Sequence, residues 1–261
     1  MDVGRYLERI GYAGPPRPGA DTLRALQRAH LLTVPFENLS IHAGEPIVLD
    51  AAALFDKVVG RRRGGFCYEL NGLFAWLLRE LGFDVDLLSA GVLGAGGEFG
   101  PPFDHMALAV TLEERWLADV GFGDSFVDPL RLDFDGAQPQ ANGTYLLVSD
   151  DGGRRVLVRT KSGGEPRPQY RVLPGAWALA DYSERCQFHQ TSPLSPFTQK
   201  RVCSQLTPAG RVTLSGMQLI ETDASGNRRE RVLEDEAAVE QALRERFGIS
   251  SRPDHRRTVR R

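Results

Sequence analysis

The chain has 261 residues, of which 41% are hydrophobic and 25% are charged, and its net charge is −2. No apolar stretch approaches the roughly 20 residues that span a bilayer, and the small acidic net charge argues against nonspecific nucleic-acid binding. The sequence therefore predicts no membrane and no nucleic-acid partner. Since no basic and then apolar leader follows Met1, it also predicts a cytoplasmic location.

Residues 1 to about 84 carry apolar side chains at helical spacing, in four stretches. Three stretches follow an aspartate that is predicted to cap the helix N-terminus, namely Asp2, Asp21 and Asp50. The fourth stretch runs from Cys67 to Leu81, and Gly82 supplies its stop. We expect these helices to pack as a bundle.

Cys67 lies at the start of the fourth helix, shortly after the glycine pair Gly64-Gly65. The first-turn N–H groups of a helix have no intrahelical partner, and together with the helix dipole they favour a thiolate over a thiol. Cys67 is therefore predicted to be a nucleophile.

The other two cysteines, Cys186 and Cys203, are predicted to be free and buried as small apolar residues. An odd count of cysteines in a reducing location disfavours a disulfide framework. Cys186 is followed by His189 at a spacing typical of metal ligands, but no second pair completes four ligands. The sequence therefore predicts no metal site.

From about residue 85 the apolar period changes to two, which is typical of antiparallel strands. The predicted strands are 85–92, 105–112, 116–120, 145–148, 156–160 and 170–173. The turn signal Asp151-Gly152-Gly153 marks a hairpin between two of them. This region is predicted to form a β-barrel or a curled sheet.

A proline-punctuated connector, Thr191 to Pro196, marks a boundary after a short helix predicted from Asp181 to His189. Further strands are predicted at 201–206, 211–214, 217–222 and 230–233. A last helix is predicted from Asp235 to Phe247. The arginine-rich end, Arg252 to Arg261, is expected to be a solvated tail.

A cysteine nucleophile needs a base, and the base needs a group that orients it. His105 opens an alternating strand on which Ala107 and Ala109 share its face, so that small neighbours leave room for a ring. Asp119 ends an apolar strand, where a carboxylate is costly unless it is paired.

The spacing does not by itself bring these two residues together. If Glu113 to Arg115 form a simple hairpin, Asp119 falls near Leu108 or Ala109 and not beside His105. A bulge or a strand switch would then be required for contact. From the residues alone, a structural or surface histidine therefore remains the alternative to a catalytic one.

Several separated motifs together resemble the arylamine N-acetyltransferase family. They are Leu31 to Leu39, Arg63 to Asn71, Asp104-His105-Met106, Asp119 to Gly123 and the stretch Ser192 to Thr207. The resemblance covers most of the chain and implies an α+β fold with an N-terminal helical bundle, a central antiparallel β-barrel and a C-terminal α/β lid around a papain-like catalytic core. On this basis the expected domains are 1–84 with the nucleophile, 85–190 with the histidine and aspartate, and 191–261.

The resemblance also implies a ping-pong reaction through a cysteine thioester. Cys67 would be the nucleophile, His105 the base and Asp119 its orienting group. The acetyl donor would be acetyl-CoA, and the acceptor an aromatic amine, hydrazine or hydroxylamine, with no metal. The residues that contact coenzyme A are not legible from any motif.

The family's acceptor pocket is aromatic, which would place four side chains near the thiol. They are Phe36, Tyr68, Phe122 and, as a weaker candidate, Phe197. Packing in the core is the competing interpretation of all four. Glu37 and Arg63 are expected to form an ion pair that joins two of the motifs.

Two other enzyme classes share the order Cys, His, Asp. One is an amide synthase that forms macrolactams of polyketide antibiotics and takes its acyl group from a carrier protein. The other is a papain-like cysteine hydrolase, in which water is the acceptor. A noncatalytic binding protein is disfavoured because all three triad residues are present, and a homo-oligomer is left open.

Overall fold

The computed structural model describes residues 1–150 and 152–250. Its helices are α1 (Val3–Ile10), α2 (Ala20–Thr33), α3 (Leu39–His42), α4 (Ala51–Phe55), α5 (Cys67–Glu80), α6 (Ser183–Thr191), α7 (Pro196–Gln199) and α8 (Glu236–Phe247). A π-helical turn, Asp56–Gly60, follows α4, and a 3₁₀ turn, Leu179–Tyr182, precedes α6. The predicted arginine-rich tail and Asp151 of the predicted hairpin lie outside the described residues.

The strands form two antiparallel sheets. They are β1 (Phe36–Glu37), β2 (Asp84–Val92), β3 (His105–Thr111), β4 (Arg115–Ala118), β5 (Leu130–Arg131), β6 (Gln138–Gln140), β7 (Gly143–Ser149), β8 (Arg155–Thr160), β9 (Arg167–Val172), β10 (Val202–Thr207), β11 (Gly210–Ser215), β12 (Gln218–Asp223) and β13 (Arg228–Val232). Every strand predicted from the sequence is present among them.

Aspartate caps fix several helix starts. Asp2 accepts a hydrogen bond from the N–H of Arg5 at 3.1 Å, and Asp50 caps α4 in the same way, as predicted. The prediction for Asp21 was wrong, because the N-cap is Gly19, two residues earlier, and α2 begins at Ala20. Asp21 instead lies in the first turn, where its carboxylate complements the helix dipole.

The larger sheet curls into a nearly closed barrel. Its strand order is β5-β4-β3-β2-β9-β8-β7-β6, and all neighbours are antiparallel. The two edge strands meet through the side chain of Gln138, which accepts from the N–H of Arg131 at 2.8 Å and donates to its carbonyl at 3.1 Å. One side-chain amide thus replaces the missing ladder bonds between the edges.

Strand β3 is buried on both faces and separates two hydrophobic cores. Met106 and Leu108 pack with the N-terminal helices, whereas Ala107 and Ala109 face the barrel interior. Because side chains alternate along a strand, His105 shares the barrel-facing side, as the alternation predicted. A third core lies between α8 and the smaller sheet.

The smaller sheet has the order β1-β10-β11-β12-β13. Its first strand comes from the N-terminal region, since Phe36 pairs with Ser204 and Glu37 with Cys203. Phe36 also forms a parallel bridge with Gly65, in the loop before α5. The bundle, the barrel and this α/β unit together confirm the predicted α+β architecture. Within the described residues, no helix is long and apolar enough to cross a bilayer.

Candidate active site

The start of α5 holds Cys67 in a fixed and nearly buried position. Phe66 is the N-cap, and its N–H donates to Oε2 of Glu69 at 3.1 Å. The other oxygen of that carboxylate accepts from Nζ of Lys57 at 2.6 Å, in an ion pair buried from solvent. A buried ion pair therefore holds the helix start that carries the thiol. Cys67 itself is only 4% exposed.

Close backbone approaches bring two neighbouring segments onto this helix start. A Cβ at Gly64 would collide with the carbonyl oxygen of Pro35, so that glycine lets the loop before α5 run against β1. A Cβ at Gly121 would lie 2.7 Å from Cα of Cys67. Glycine there lets the segment after β4 pack directly on the cysteine.

His105 and Asp119 are in contact. Nε2 of His105 lies 2.7 Å from Oδ2 of Asp119, and both side chains are buried. Strand β4 ends at Ala118, which pairs with Leu108, so continuing the register places Asp119 opposite Ala107. Residues diagonal to each other on one face of a sheet are within reach.

The predicted need for a bulge or strand switch was therefore wrong. The β3–β4 hairpin pairs in one uninterrupted register that is slightly tighter than the simple estimate. Asp119 also lies just past the strand end, not within the strand, which frees its carboxylate to turn towards His105.

The carboxylate of Asp119 accepts from four donors. Oδ1 accepts from Nδ2 of Asn71 and from the N–H of Gly121, each at 2.8 Å. Oδ2 accepts from the hydroxyl of Tyr170 at 3.2 Å and faces the imidazole of His105. A buried carboxylate whose oxygens are all hydrogen-bonded in this way is rigidly oriented.

Sequence reasoning missed three residues that support Asp119. Asn71 lies one helical turn after Cys67, so a polar side chain on the same face was an available signal. Tyr170 comes from β9, and Gln27 of α2 accepts from the N–H of Asp119 at 3.1 Å. Nothing in the local sequence of Tyr170 or Gln27 indicates these contacts.

The charge state of His105 follows from its neighbours. Burial by itself would lower the pKa of His105, but the charge and hydrogen bond of Asp119, together with the hydrogen bond to Cys67, raise it from 6.5 to about 10. Nε2 is occupied by Asp119, so Nδ1 is left for the thiol. At neutral pH both ring nitrogens therefore carry a proton, and the imidazole is positively charged while it contacts both partners.

This pair is expected to make the free energy of unfolding depend on pH. Because the pKa of His105 rises on folding from 6.5 to about 10, its stabilising contribution is complete below about pH 6.5 and is lost as the pH rises to about 10. The urea midpoint of the wild type, minus that of His105→Gln, should fall across this window. His42→Gln, at the exposed end of α3, is the control. A difference that does not change with pH would contradict the assignment.

The four aromatic candidates divide into three locations. Phe36 and Phe197 contact each other, with ring centroids 6.1 Å apart, and both are partly exposed. Phe122 stands edge-on to His105 at 5.3 Å. Tyr68 is fully buried, and its hydroxyl donates to the carbonyl of Phe103 at 2.6 Å.

The predicted ion pair between Glu37 and Arg63 is present. Nη2 of Arg63 lies 2.9 Å from Oε1 of Glu37, whose side chain is fully buried. The other oxygen of Glu37 accepts from the N–H of Leu39 at 2.6 Å. The pair ties β1 to the loop that leads into Cys67.

A cleft of about 500 Å³ opens beside Phe122, which forms part of its lining. Its charged walls include Arg159 and Lys161, which contact the carboxylate of Asp124 at 3.0 and 3.3 Å. Arg211 approaches the same carboxylate at 3.5 Å. The charged residues that line the cleft itself carry one net positive charge; they are Arg159, Lys161, Arg167, Asp124 and Glu165.

The residues with metal-like spacing have other partners. His189 contacts Ser195 and Asp104, and Sγ of Cys186 lies 3.3 Å from Nε2 of Gln190. In the part of the chain that the structure describes, no three histidine, cysteine or acidic side chains are grouped to hold a metal ion.

Comparison with known proteins gives consistent matches along the chain. A family model described as N-acetyltransferase matches residues 20–255. The arylamine N-acetyltransferase of Mycolicibacterium smegmatis is 36% identical, and the match covers 95% of this chain and 92% of that protein. The Escherichia coli arylamine N-acetyltransferase is 33% identical, with 95% and 88% covered.

Solved structures agree with the sequence matches. The arylamine N-acetyltransferase from M. tuberculosis is similar with a TM-score of 0.89 at 35% identity, covering 95% of this chain and 93% of that one. The Mycobacterium marinum arylamine N-acetyltransferase in complex with CoA has a TM-score of 0.88 at 36% identity, with the same coverage.

Proposed function

Since this chain belongs to the arylamine N-acetyltransferase family, we propose that Cys67, His105 and Asp119 carry its transfer of an acetyl group from acetyl-CoA to the nitrogen of an aromatic amine. The observation that supports this assignment most directly is the 2.7 Å contact between His105 and Asp119, with Cys67 hydrogen-bonded to the same imidazole. The base thus contacts the nucleophile on one side and the orienting carboxylate on the other.

In the first half-reaction, His105 holds the proton that Cys67 has given up, as its raised pKa allows, and Sγ of Cys67 attacks the thioester carbonyl. The bond to the sulfur of coenzyme A breaks, and the leaving thiolate takes the proton from His105. We propose that backbone N–H groups at the start of α5 stabilise the oxyanion. Asp119 holds the ring and balances its positive charge.

In the second half-reaction, the amine nitrogen attacks the acetyl carbonyl on Cys67 and loses a proton to His105. The C–S bond breaks and Cys67 leaves as a thiolate, which restores the free enzyme. Splitting the transfer into two steps lets a weakly basic amine react with an already activated acyl group. We propose that Phe36, Tyr68, Phe122 and Phe197 form the aromatic surroundings of that amine.

An intact-mass experiment tests this reaction directly. Acetyl-CoA alone should add one acetyl group to the protein, and a later addition of aniline should remove it. Release of acetate without any gain in rate from aniline would favour a hydrolase. Cyclisation of a carrier-bound aryl amine without turnover of acetyl-CoA would favour the amide synthase alternative.

We propose that acetyl-CoA approaches through the positive cleft beside Phe122. The donor carries several phosphate charges, and Lys161, whose side chain is 63% exposed, is an accessible cation there. Lys161→Glu is expected to raise KM for acetyl-CoA by about fivefold at low salt and by less at high salt, because exposed charges are screened. Lys200→Glu, an exposed charge swap outside the cleft, is the control. A salt-independent KM would contradict the proposal.

We propose that residues 1–84 supply the nucleophile, 85–190 the base and its carboxylate, and 191–261 a lid. The barrel core, drawn from residues 88–172, supports the middle unit, and the core of the smaller sheet, drawn mainly from residues 203–249, supports the last one. We also propose a cytoplasmic location. A homo-oligomer stays a prediction that light scattering tests, and a carrier protein as donor belongs only to the amide synthase alternative.

A further inference from the structure

A second polar chain lies beside the proposed triad and is not used by the reaction as described. Nδ1 of His189 is 3.0 Å from Oγ of Ser195, and its Nε2 is 3.3 Å from Oδ1 of Asp104. His189 and Ser195 are 3% and 0% exposed, so neither group can exchange its partner for water without moving. Nε of Arg185 also donates to Asp104, at 3.0 Å.

One end of this chain is anchored to the strand that carries the base. Asp104 directly precedes His105, and the hydroxyl of Tyr68 donates to the carbonyl of Asp104 at 3.3 Å. The preceding residue, Phe103, has a φ of 65°, a conformation that a bulky side chain rarely adopts. Its N–H is held by Oγ of Ser89 at 2.7 Å. The Asp104 end is thus rigid relative to β3.

The other end holds the short helix α7. Oγ of Ser195 accepts from the N–H of Phe197 at 3.2 Å. The ring of His189 also contacts the ring of Phe197, with centroids 5.2 Å apart. His189 therefore touches Phe197 directly and holds its backbone through Ser195.

Phe197 in turn belongs to an aromatic cluster next to the nucleophile. Its ring is 5.6 Å from that of Phe66, the residue before Cys67, and 6.1 Å from that of Phe36. Phe197 remains partly exposed, so part of its side chain is accessible to a ligand. Loss of His189 would leave the buried hydroxyl of Ser195 without this partner. Because unpaired buried polar groups are costly, the segment would rearrange, and the ring of Phe197 could then move.

We propose that His189 is a positioning residue, which links Asp104 to Ser195 and so fixes Phe197 beside Cys67 to select acceptors that carry an aromatic ring. This inference rests on the proposed function, because it concerns the second half-reaction. A ring-bearing amine would use the fixed face of Phe197. A small nucleophile without a ring would not.

The test compares two acceptors in the full-length protein. His189→Leu removes both polar contacts and fills the buried position with an apolar side chain. KM for aniline is expected to rise about tenfold, with kcat within about twofold, since one buried hydrogen bond is at stake. Acetylation of Cys67 by acetyl-CoA and transfer to hydrazine, which has no ring, should be unchanged. Equal losses for aniline and hydrazine would indicate a merely structural role and overturn the proposal.

A double-mutant cycle tests whether His189 acts through Phe197. Phe197→Leu should reproduce the loss for aniline, and the double variant should be no worse than Phe197→Leu alone. Additive losses would overturn the proposal. Leu194→Ala, 79% exposed in the same connector, is the matched control and should behave as wild type.

Two further outcomes are distinguishable. If His189→Leu does not fold, Ser195→Ala serves instead, because it removes only the link to α7. It should again raise KM for aniline but not for hydrazine. An unchanged KM for aniline in a folded Ser195→Ala overturns the proposal. If the wild type forms no acetyl adduct with acetyl-CoA, the proposed function fails and not only this inference.

Discussion

Replacing Cys67 by serine is expected to abolish acetyl transfer and the acetyl adduct. The rate of adduct formation should fall by at least about 10⁴-fold, because a hydroxyl is a far weaker nucleophile towards a thioester than a thiolate. Serine preserves the size of the side chain at the start of α5, so the fold should persist. Intact mass after incubation with acetyl-CoA measures the loss, and thermal unfolding measures the fold.

The other cysteines provide matched controls. Burial raises the pKa of Cys186 to about 12, and burial also raises the pKa of Cys203 well above its ordinary value. Both thiols are therefore protonated and inert at neutral pH. Cys186→Ser and Cys203→Ser should keep the adduct, whereas an adduct that persists in Cys67→Ser would show that another group is the nucleophile.

Asp119→Asn is expected to slow adduct formation by about 10³ to 10⁴-fold. The amide keeps the size of the carboxylate but removes the charge that, with the hydrogen bonds, keeps the pKa of His105 near 10. The pKa of His105 should fall towards its ordinary value, so the pH profile of adduct formation should change together with the rate. Stopped-flow measurement of coenzyme A release from pH 5 to 10 gives both quantities.

Asp128→Asn is the matched control, because Asp128 follows in the same segment after β4. Its carboxylate accepts from Nη2 of Arg28 at 2.7 Å and belongs to a surface ion pair. Such a pair contributes little to stability, so rate and pH profile should match the wild type. An unchanged rate in Asp119→Asn would remove Asp119 from the mechanism.

Periodicity and capping chemistry predicted most of the fold. The start of α5 at Cys67 and the side of the sheet on which each β3 side chain lies could be predicted, because a glycine pair and an alternating apolar pattern are local signals. The structure adds short elements such as β1, β5 and α7, which have too few residues to show a period. Asp21 was misplaced because α2 starts two residues before the position that an aspartate cap would give, and local sequence fixes a helix boundary only to within one or two residues.

The site was less predictable than the fold. Residue spacing gives the pairing of β3 with β4 but not the diagonal reach of a carboxylate past the strand end, which is how Asp119 meets His105. The supporting contacts of Tyr170 and Gln27 join segments far apart in the chain. Contacts of that kind follow from tertiary packing, which no local pattern encodes.

The pairing of Phe36 with Ser204 has a consequence for how the protein is made. The ribosome synthesises the N-terminal helices and the barrel strands before β10, so β1 has no pairing partner until the last part of the chain has been made. Such long-range pairing slows folding, because a large loop must close first. Since β1 also bridges to Gly65, the wall beside the nucleophile is completed only at the end of synthesis. A nascent chain therefore carries its reactive cysteine before it carries a finished site around it.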